Sequence, residues 1–164
     1  MKKISKVAVI VVSDKGYRGE REDRSGKYII SFFKERNWDI TDYSIVPDEK
    51  DMIKEKLLDI CDGEKSNLII TTGGTGFSPR DVTPEATKEV LERDVPGFSE
   101  IIRIEGQKKT SRAILSRGVS GIRKKTLIIN LPGSIKGVKD SLDIIYKPLP
   151  HGIDILTEKD TDCG

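Results

Sequence analysis

Residues 71–87 constrain the fold more than any other stretch: Thr71-Thr72-Gly73-Gly74-Thr75-Gly76-Phe77-Ser78-Pro79-Arg80-Asp81-Val82-Thr83-Pro84-Glu85-Ala86-Thr87. They follow the apolar run Leu68-Ile69-Ile70, so they begin where a buried parallel strand would end. Three glycines within four residues let the backbone turn tightly and approach a ligand, where a Cβ would obstruct it. Thr83-Pro84-Glu85 then has the form of a helix start, with Thr83 as N-cap, Pro84 at the first helical position and an acid in the first turn. Strand, glycine loop, acid and new helix are the parts of an oxyanion or phosphate site at a strand's carboxyl end. On the glycines alone, a tight strand-to-helix turn with no ligand stays open.

The rest of the chain repeats the alternation of strand and helix. Val7 to Val12 is a continuous, mostly β-branched run, the mark of a strand covered on both faces. Residues 13–25 are polar and read as a long loop, and 26–37 place Tyr28, Ile29, Phe32 and Phe33 at helical spacing. A second strand is expected over 39–46 and a helix over 48–61, with Ile53, Leu57 and Ile60 on one face. Helices follow over 83–93 and 98–107, a pair of strands over 118–122 and 126–131, and helices over 134–146 and 151–156. This order predicts an α/β fold with a mostly parallel sheet. With no linker, repeat or low-complexity segment, residues 1–164 read as a single domain.

Charge and composition narrow the function. Lys and Arg total 29 against 27 Asp and Glu, a net charge of +2, which lacks the concentrated basic excess of a nucleic-acid binder. Two remote cysteines, Cys61 and Cys163, make no disulfide framework, and with the single His151 they make no zinc constellation. His151 reads as structural. No stretch approaches the roughly 20 apolar residues of a membrane span, and the start has no signal-like core, so a cytoplasmic protein is expected.

The glycine loop is neither of the two common nucleotide signatures. No lysine follows its last glycine, and the spacing is not Gly-x-Gly-x-x-Gly. Asp81, five residues beyond Gly76, can face whatever the loop holds. Val46-Pro47-Asp48-Glu49 closes the second strand and opens on the same sheet edge if the two strands run together. Asp48 and Asp81 would then form a Mg²⁺ site beside a phosphate loop, since Mg²⁺ takes one or two carboxylates plus phosphate oxygens. Asp48 as a cap on the helix that follows is the competing reading.

Asn130-Leu131-Pro132-Gly133-Ser134 repeats the device: an apolar strand running into a turn and a helix start. Lys136 sits in that helix's first turn, where the dipole disfavours a cation unless an anion is near. Ser111-Arg112-Ala113-Ile114-Leu115-Ser116-Arg117 supplies hydroxyls and guanidinium forks for an oxyanion-rich ligand, or is a polar loop.

Together these segments resemble the molybdopterin adenylyltransferase family, which includes the MogA/MoaB proteins and gephyrin-type G domains. Residues 71–76 with Arg80-Asp81-Val82-Thr83-Pro84-Glu85-Ala86 look like its central signature. Val46-Pro47-Asp48-Glu49, Ile114-Leu115-Ser116-Arg117, Asn130-Leu131-Pro132-Gly133-Ser134 and the early turn Asp23-Arg24-Ser25-Gly26 are similar to its other motifs, in the same order. Ile135 departs from the pattern, where the family often has Pro.

The resemblance implies a three-layer α/β sandwich assembling as a homotrimer. The implied reaction moves AMP from ATP to the terminal phosphate of molybdopterin, releasing pyrophosphate and requiring Mg²⁺. On the matched positions Asp48 and Asp81 would be the catalytic, metal-holding carboxylates. Gly73, Gly74, Thr75 and Gly76 would cradle phosphate, Pro132, Gly133 and Ser134 would close the pocket, and Ser116 and Arg117 would hold molybdopterin. Nucleotidyl transfer needs no protein nucleophile, which suits a chain with no Ser-His or Cys-His arrangement. A non-catalytic molybdopterin-binding or scaffold protein of the same family is the alternative. A third reading is a pyrophosphatase-like domain of the competence-damage type.

Overall fold

The computed structural model describes residues 4–158. Its centre is a six-stranded sheet in the order β2-β1-β3-β6-β5-β4. Strands β1 (Lys6–Val12), β2 (Asp39–Val46), β3 (Leu68–Thr72) and β6 (Thr126–Leu131) run parallel; β1, β3 and β6 are buried almost throughout, as strands covered on both faces, while β2 is the half-exposed edge. The register aligns Val12 with Val46, Val11 with Thr72, and Thr72 with Leu131. The carboxyl ends of all four strands are therefore level, and the loops that leave them open on one edge.

β5 (Ser120–Arg123) is antiparallel to β6, joined through Lys124 in the left-handed region at φ 51°. β4 (Arg93–Asp94) pairs antiparallel with β5 and closes the sheet. Both were within reach of the sequence only in part. The expected pair of strands around residues 123–125 is present, whereas the helix expected over 83–93 ends at Val90 and its last residue, Arg93, begins β4. Two exposed residues carry no periodicity that would announce a strand.

Alternate residues of each strand face opposite layers. Val7, Val9, Leu68, Ile70 and Ile129 pack under α2 (Ser25–Lys34), α6 (Ile135–Ile145) and α7 (Leu149–Leu156). Ala8, Ile10, Ile69 and Ile128 pack under α3 (Lys50–Asp62) and α4 (Thr83–Val90). Helix, sheet and helix make the three-layer sandwich expected above. α5 (Gly97–Gly106) joins the first layer through Ile102.

Residues 13–25 are not entirely a loop: α1 (Asp14–Tyr17) forms one turn, capped where Ser13 Oγ accepts from the Gly16 amide at 3.0 Å. Ser111–Leu115, in the segment expected either to bind an oxyanion-rich ligand or to be a polar loop, forms a 3-10 turn. Cys61 is buried and free, its thiol pushed up to about 11 mainly by burial, which leaves it unreactive. Cys163 lies outside the described residues.

Candidate active site

Two turns dominate the level edge. Gly73 and Gly74 follow β3 with φ of +99° and +69°, in the left-handed region that glycine enters without strain. At Gly73 a Cβ would meet the Val12 carbonyl oxygen at 2.3 Å, and at Gly74 it would meet Thr83 Oγ1 at 2.3 Å. After β6, Gly133 approaches Gly73 so closely that its Cβ would lie 3.3 Å from the Gly73 Cα. Thr72 Oγ1 donates to the Pro132 carbonyl at 2.6 Å and Ser25 Oγ donates to the Gly133 carbonyl at 2.8 Å. The two turns are thus fastened to each other and to the start of α2.

Thr83 corrects one expectation. It is the first residue of α4 and not its cap: Val82 occupies the cap position. The Thr83 hydroxyl is buried and donates to the Gly73 carbonyl at 3.0 Å, so it braces the glycine turn against the helix.

Asp48 corrects another. Glu49 is the residue that precedes α3, and it makes no side-chain cap. Asp48 Oδ2 instead accepts from the Asp14 amide at 2.9 Å, while the Asp48 amide donates to Asp14 Oδ1 at 2.9 Å. This reciprocal pair turns the Asp48 carboxylate toward the cleft. Burial pushes its pKa up, and the neighbouring Asp14 and Asp81 charges add to the rise against the opposing hydrogen bond from Asp14. Asp14 is held below the usual carboxylate range by the hydrogen bonds from Arg80 and the Asp48 amide.

Arg80 had no expected role. Its Nε and a terminal nitrogen reach Asp14 at 3.1 and 3.0 Å, and its other terminal nitrogen reaches Glu49 at 2.8 Å. It latches the tip of the glycine loop onto the segments that follow β1 and β2. Neither Asp14 nor Arg80 carries a local pattern that names its partner; an arginine beside an acid in an anion-binding loop is the only hint.

Two cavities open on this edge. The first, of about 510 Å³, lies between the Thr75–Gly76 backbone, α5, the 3-10 turn and α6, with Ser116, Leu115, Ile102 and Ile144 on its walls. The second, of about 550 Å³, lies between the ends of β1 and β3 and the segment before α2, with Asp48, Arg21, Arg24 and Ser25 on its walls. Gly74, Asp81, Gly133 and Ser134 line both. Asp81 is therefore at the seam, where its Oδ2 accepts from the Ser78 amide at 3.0 Å. Ser134 caps α6, accepting from the Gly137 amide at 3.1 Å, and Ile135 takes the first helical position.

The structure brings together Asp48, Asp81, Gly73, Gly74, Thr75, Gly76, Pro132, Gly133, Ser134 and Ser116 around these two cavities. It does not place Arg117 on the wall of either. The Arg117 guanidinium runs behind the glycine loop, donating to the Gly76 carbonyl at 2.8 Å, the Asp81 carbonyl at 2.8 Å and Glu85 at 2.9 and 2.8 Å. All three side-chain nitrogens bond to protein, an arrangement different from the substrate contact expected of it. Lys136 and His151 are exposed and line neither cavity.

The Arg117 hydrogen bonds hold Glu85 below the usual carboxylate range. A depressed folded value means stabilisation that is present above the unfolded value and lost as pH falls through the folded one. Glu85→Gln should therefore melt below the wild type at neutral pH. That gap should narrow once pH drops below 4.5, the ordinary glutamate value, as followed by thermal melts at several pH values.

A level edge of glycine turns, two carboxylates and two adjoining cavities is the candidate site of this α/β fold, at the place where open α/β sheets take ligands. The family profile described as a probable molybdopterin binding domain matches residues 8–151, and the chain belongs to that family. It is 41% identical over 152 residues to a molybdopterin adenylyltransferase of Helicobacter pylori, covering 92% of this chain and 86% of that protein. Among solved structures, the molybdopterin biosynthesis enzyme MoaB of Thermus thermophilus superposes with a TM-score of 0.90 at 46% identity, covering 97% of this chain and 100% of the other. The tungsten cofactor synthesizing protein MoaB of Pyrococcus furiosus gives 0.84 at 34% identity, covering 94% and 98%.

Proposed function

We propose that this chain is a molybdopterin adenylyltransferase of molybdenum or tungsten cofactor biosynthesis. The observation that carries the reading is the seam: Gly74, Asp81, Gly133 and Ser134 are shared by two cavities, so ligands filling both must meet there. The first cavity, apolar with hydroxyl-bearing edges, suits the flat pterin, with Ser116 toward its polar end. The second, with Arg21 and Arg24 and the Gly73–Gly74 turn on its walls, suits the phosphates of ATP.

In the reaction an oxygen of the molybdopterin phosphate attacks the α-phosphorus of ATP. A new P–O bond forms, the bond to the β-phosphate breaks, and pyrophosphate leaves with the electron pair. The protein contributes alignment and charge. The Gly73 amide is held by the Leu131 carbonyl at 3.2 Å, which leaves the later amides of that turn and those at the start of α6 as the donors that would meet the phosphates. Substrate supplies the nucleophile.

The residues also fit a magnesium ion. Asp48 and Asp81 line one cavity, and the burial and like charge that penalise ionised Asp48 would be relieved by a cation between them. Among the described residues no group of three or more His, Cys, Asp or Glu is arranged to hold a metal, so the proposed donor set is these two carboxylates plus phosphate oxygens. When bound, the ion neutralises phosphate charge.

The chain is proposed to act as one domain, in a cytoplasmic homotrimer. Exposed Ile101 and Ile104 on α5 and Ile114 and Leu115 on the 3-10 turn are apolar surface that a neighbouring subunit would cover. Among the described residues no helix is long and apolar enough to cross a membrane. The test is pyrophosphate release: it should require protein, molybdopterin, ATP and Mg²⁺ together. Tight molybdopterin binding with no pyrophosphate released would favour the non-catalytic scaffold instead.

A further inference from the structure

We infer that Arg117 is a positioning residue that fixes the Gly76–Asp81 loop, and through it the Asp81 carboxylate, at the seam of the two cavities. The inference rests on the adenylyl-transfer reading for its kinetic arm and on geometry alone for the rest. The loop from Gly76 to Asp81 is exposed over Phe77, Ser78, Pro79 and Arg80; its internal ties all run to Ser78, whose amide donates to the Asp81 carboxylate and whose carbonyl and hydroxyl accept from the Asp81 and Arg80 amides, and Arg80 holds its tip to Asp14 and Glu49. Such a hairpin of exposed residues does not hold a carboxylate by itself.

Arg117 supplies the missing ties at both ends. Its Nε takes the Gly76 carbonyl and one terminal nitrogen takes the Asp81 carbonyl, each at 2.8 Å. One planar guanidinium thus sets the separation of the two residues that bound the loop. Glu85, in the first turn of α4, holds the remaining terminal nitrogen through both oxygens, fixing the rotation of the fork. The Arg117 amide adds a bond to the Thr75 carbonyl at 2.8 Å. Four attachments on Thr75, Gly76, Asp81 and Glu85 come from a residue 32 to 42 positions away in sequence.

The same residue ends the segment that forms a wall of the first cavity. Ser116, its neighbour, lines that cavity, whereas Arg117 lines neither. Arg117 is therefore the physical connection between the wall beside one ligand and the carboxylate between the two. Lysine cannot replace it, because a single ammonium cannot span two carbonyls and a carboxylate in one plane.

The test uses Arg117→Lys, Arg117→Ala and Glu85→Gln in the full chain. Displacing a reacting group by about 1 Å costs on the order of 10²-fold. Arg117→Lys and Arg117→Ala should lower kcat by about that factor while KM for ATP and molybdopterin moves less than about threefold. Glu85→Gln should have a smaller effect that vanishes in the Arg117→Ala background, because it acts only through the guanidinium. Independently of activity, amide hydrogen exchange in residues 76–81 of Arg117→Lys should quicken while the β3 and α4 amides keep their protection.

A raised KM for molybdopterin with kcat intact would overturn the inference in favour of direct ligand binding. Additive effects of the Glu85 and Arg117 changes, or unchanged exchange in residues 76–81, would overturn it as well. A wild type without AMP transfer would instead remove the proposed reaction, and the exchange result would still decide the role of Arg117.

Discussion

Asp81→Asn should reduce AMP transfer by about 10²–10³-fold while the protein remains folded, the scale of losing one group that stabilises charge at a reacting phosphate. Asparagine has nearly the same shape, and its side-chain oxygen can still accept from the Ser78 amide that Asp81 Oδ2 now holds at 3.0 Å. The loop therefore keeps its form. What disappears is a negative charge at the seam of the two cavities, beside half-buried Asp48. Stability should change by less than about 0.5 kcal/mol, as for partly exposed substitutions that break no buried contact. Steady-state kinetics set beside a thermal melt checks both halves. Normal turnover by Asp81→Asn would end the proposal of a two-carboxylate site.

Gly73→Ala should have the largest effect on stability. The φ of +99° is strained for any residue with a side chain, and the new Cβ would press on the Val12 carbonyl at 2.3 Å. That oxygen belongs to the backbone of a buried central strand, so it cannot rotate away as a side chain would. The backbone penalty of about 1–2 kcal/mol and the overpacking penalty of about 1–3 kcal/mol together predict a loss of roughly 2–5 kcal/mol. Gly152→Ala is the control: it lies in α7, its Cβ would meet nothing within 4 Å, and it should be neutral or slightly stabilising. Denaturant unfolding of the two variants measures the contrast, and equal midpoints would refute the close approach at Gly73.

The parts of this molecule that were legible in its sequence are those whose physics is local. β1, β3 and β6 announce themselves because a parallel strand covered on both faces must be apolar throughout. The glycine turns do so because the left-handed backbone at Gly73 and Gly74 leaves few other residues possible. β4 was hidden because its two residues gain their strand character only from pairing with β5. α1 was hidden because a single capped turn buries nothing and needs no apolar face.

Within the site, Asp48 and Asp81 stand out in the sequence and both line one cavity, whereas their supports do not stand out. The Asp14–Asp48 exchange and the Arg80 latch join residues 34 and 66 positions apart, and no local pattern selects one acid among many as the partner. Arg117 is a case of the same kind: a guanidinium beside a serine in a polar segment looks like a ligand for phosphate, and the fold turns it onto carbonyls.

The central claim is that two ligands meet at Asp81 and that AMP passes directly between them. The most direct measurement uses ATP labelled at the α-phosphate, incubated with the protein, molybdopterin and Mg²⁺, followed by separation of protein from small molecules. The account predicts label on molybdopterin, none bound covalently to the protein, and release of unlabelled pyrophosphate. Label retained on the protein, or none transferred to molybdopterin, would contradict it.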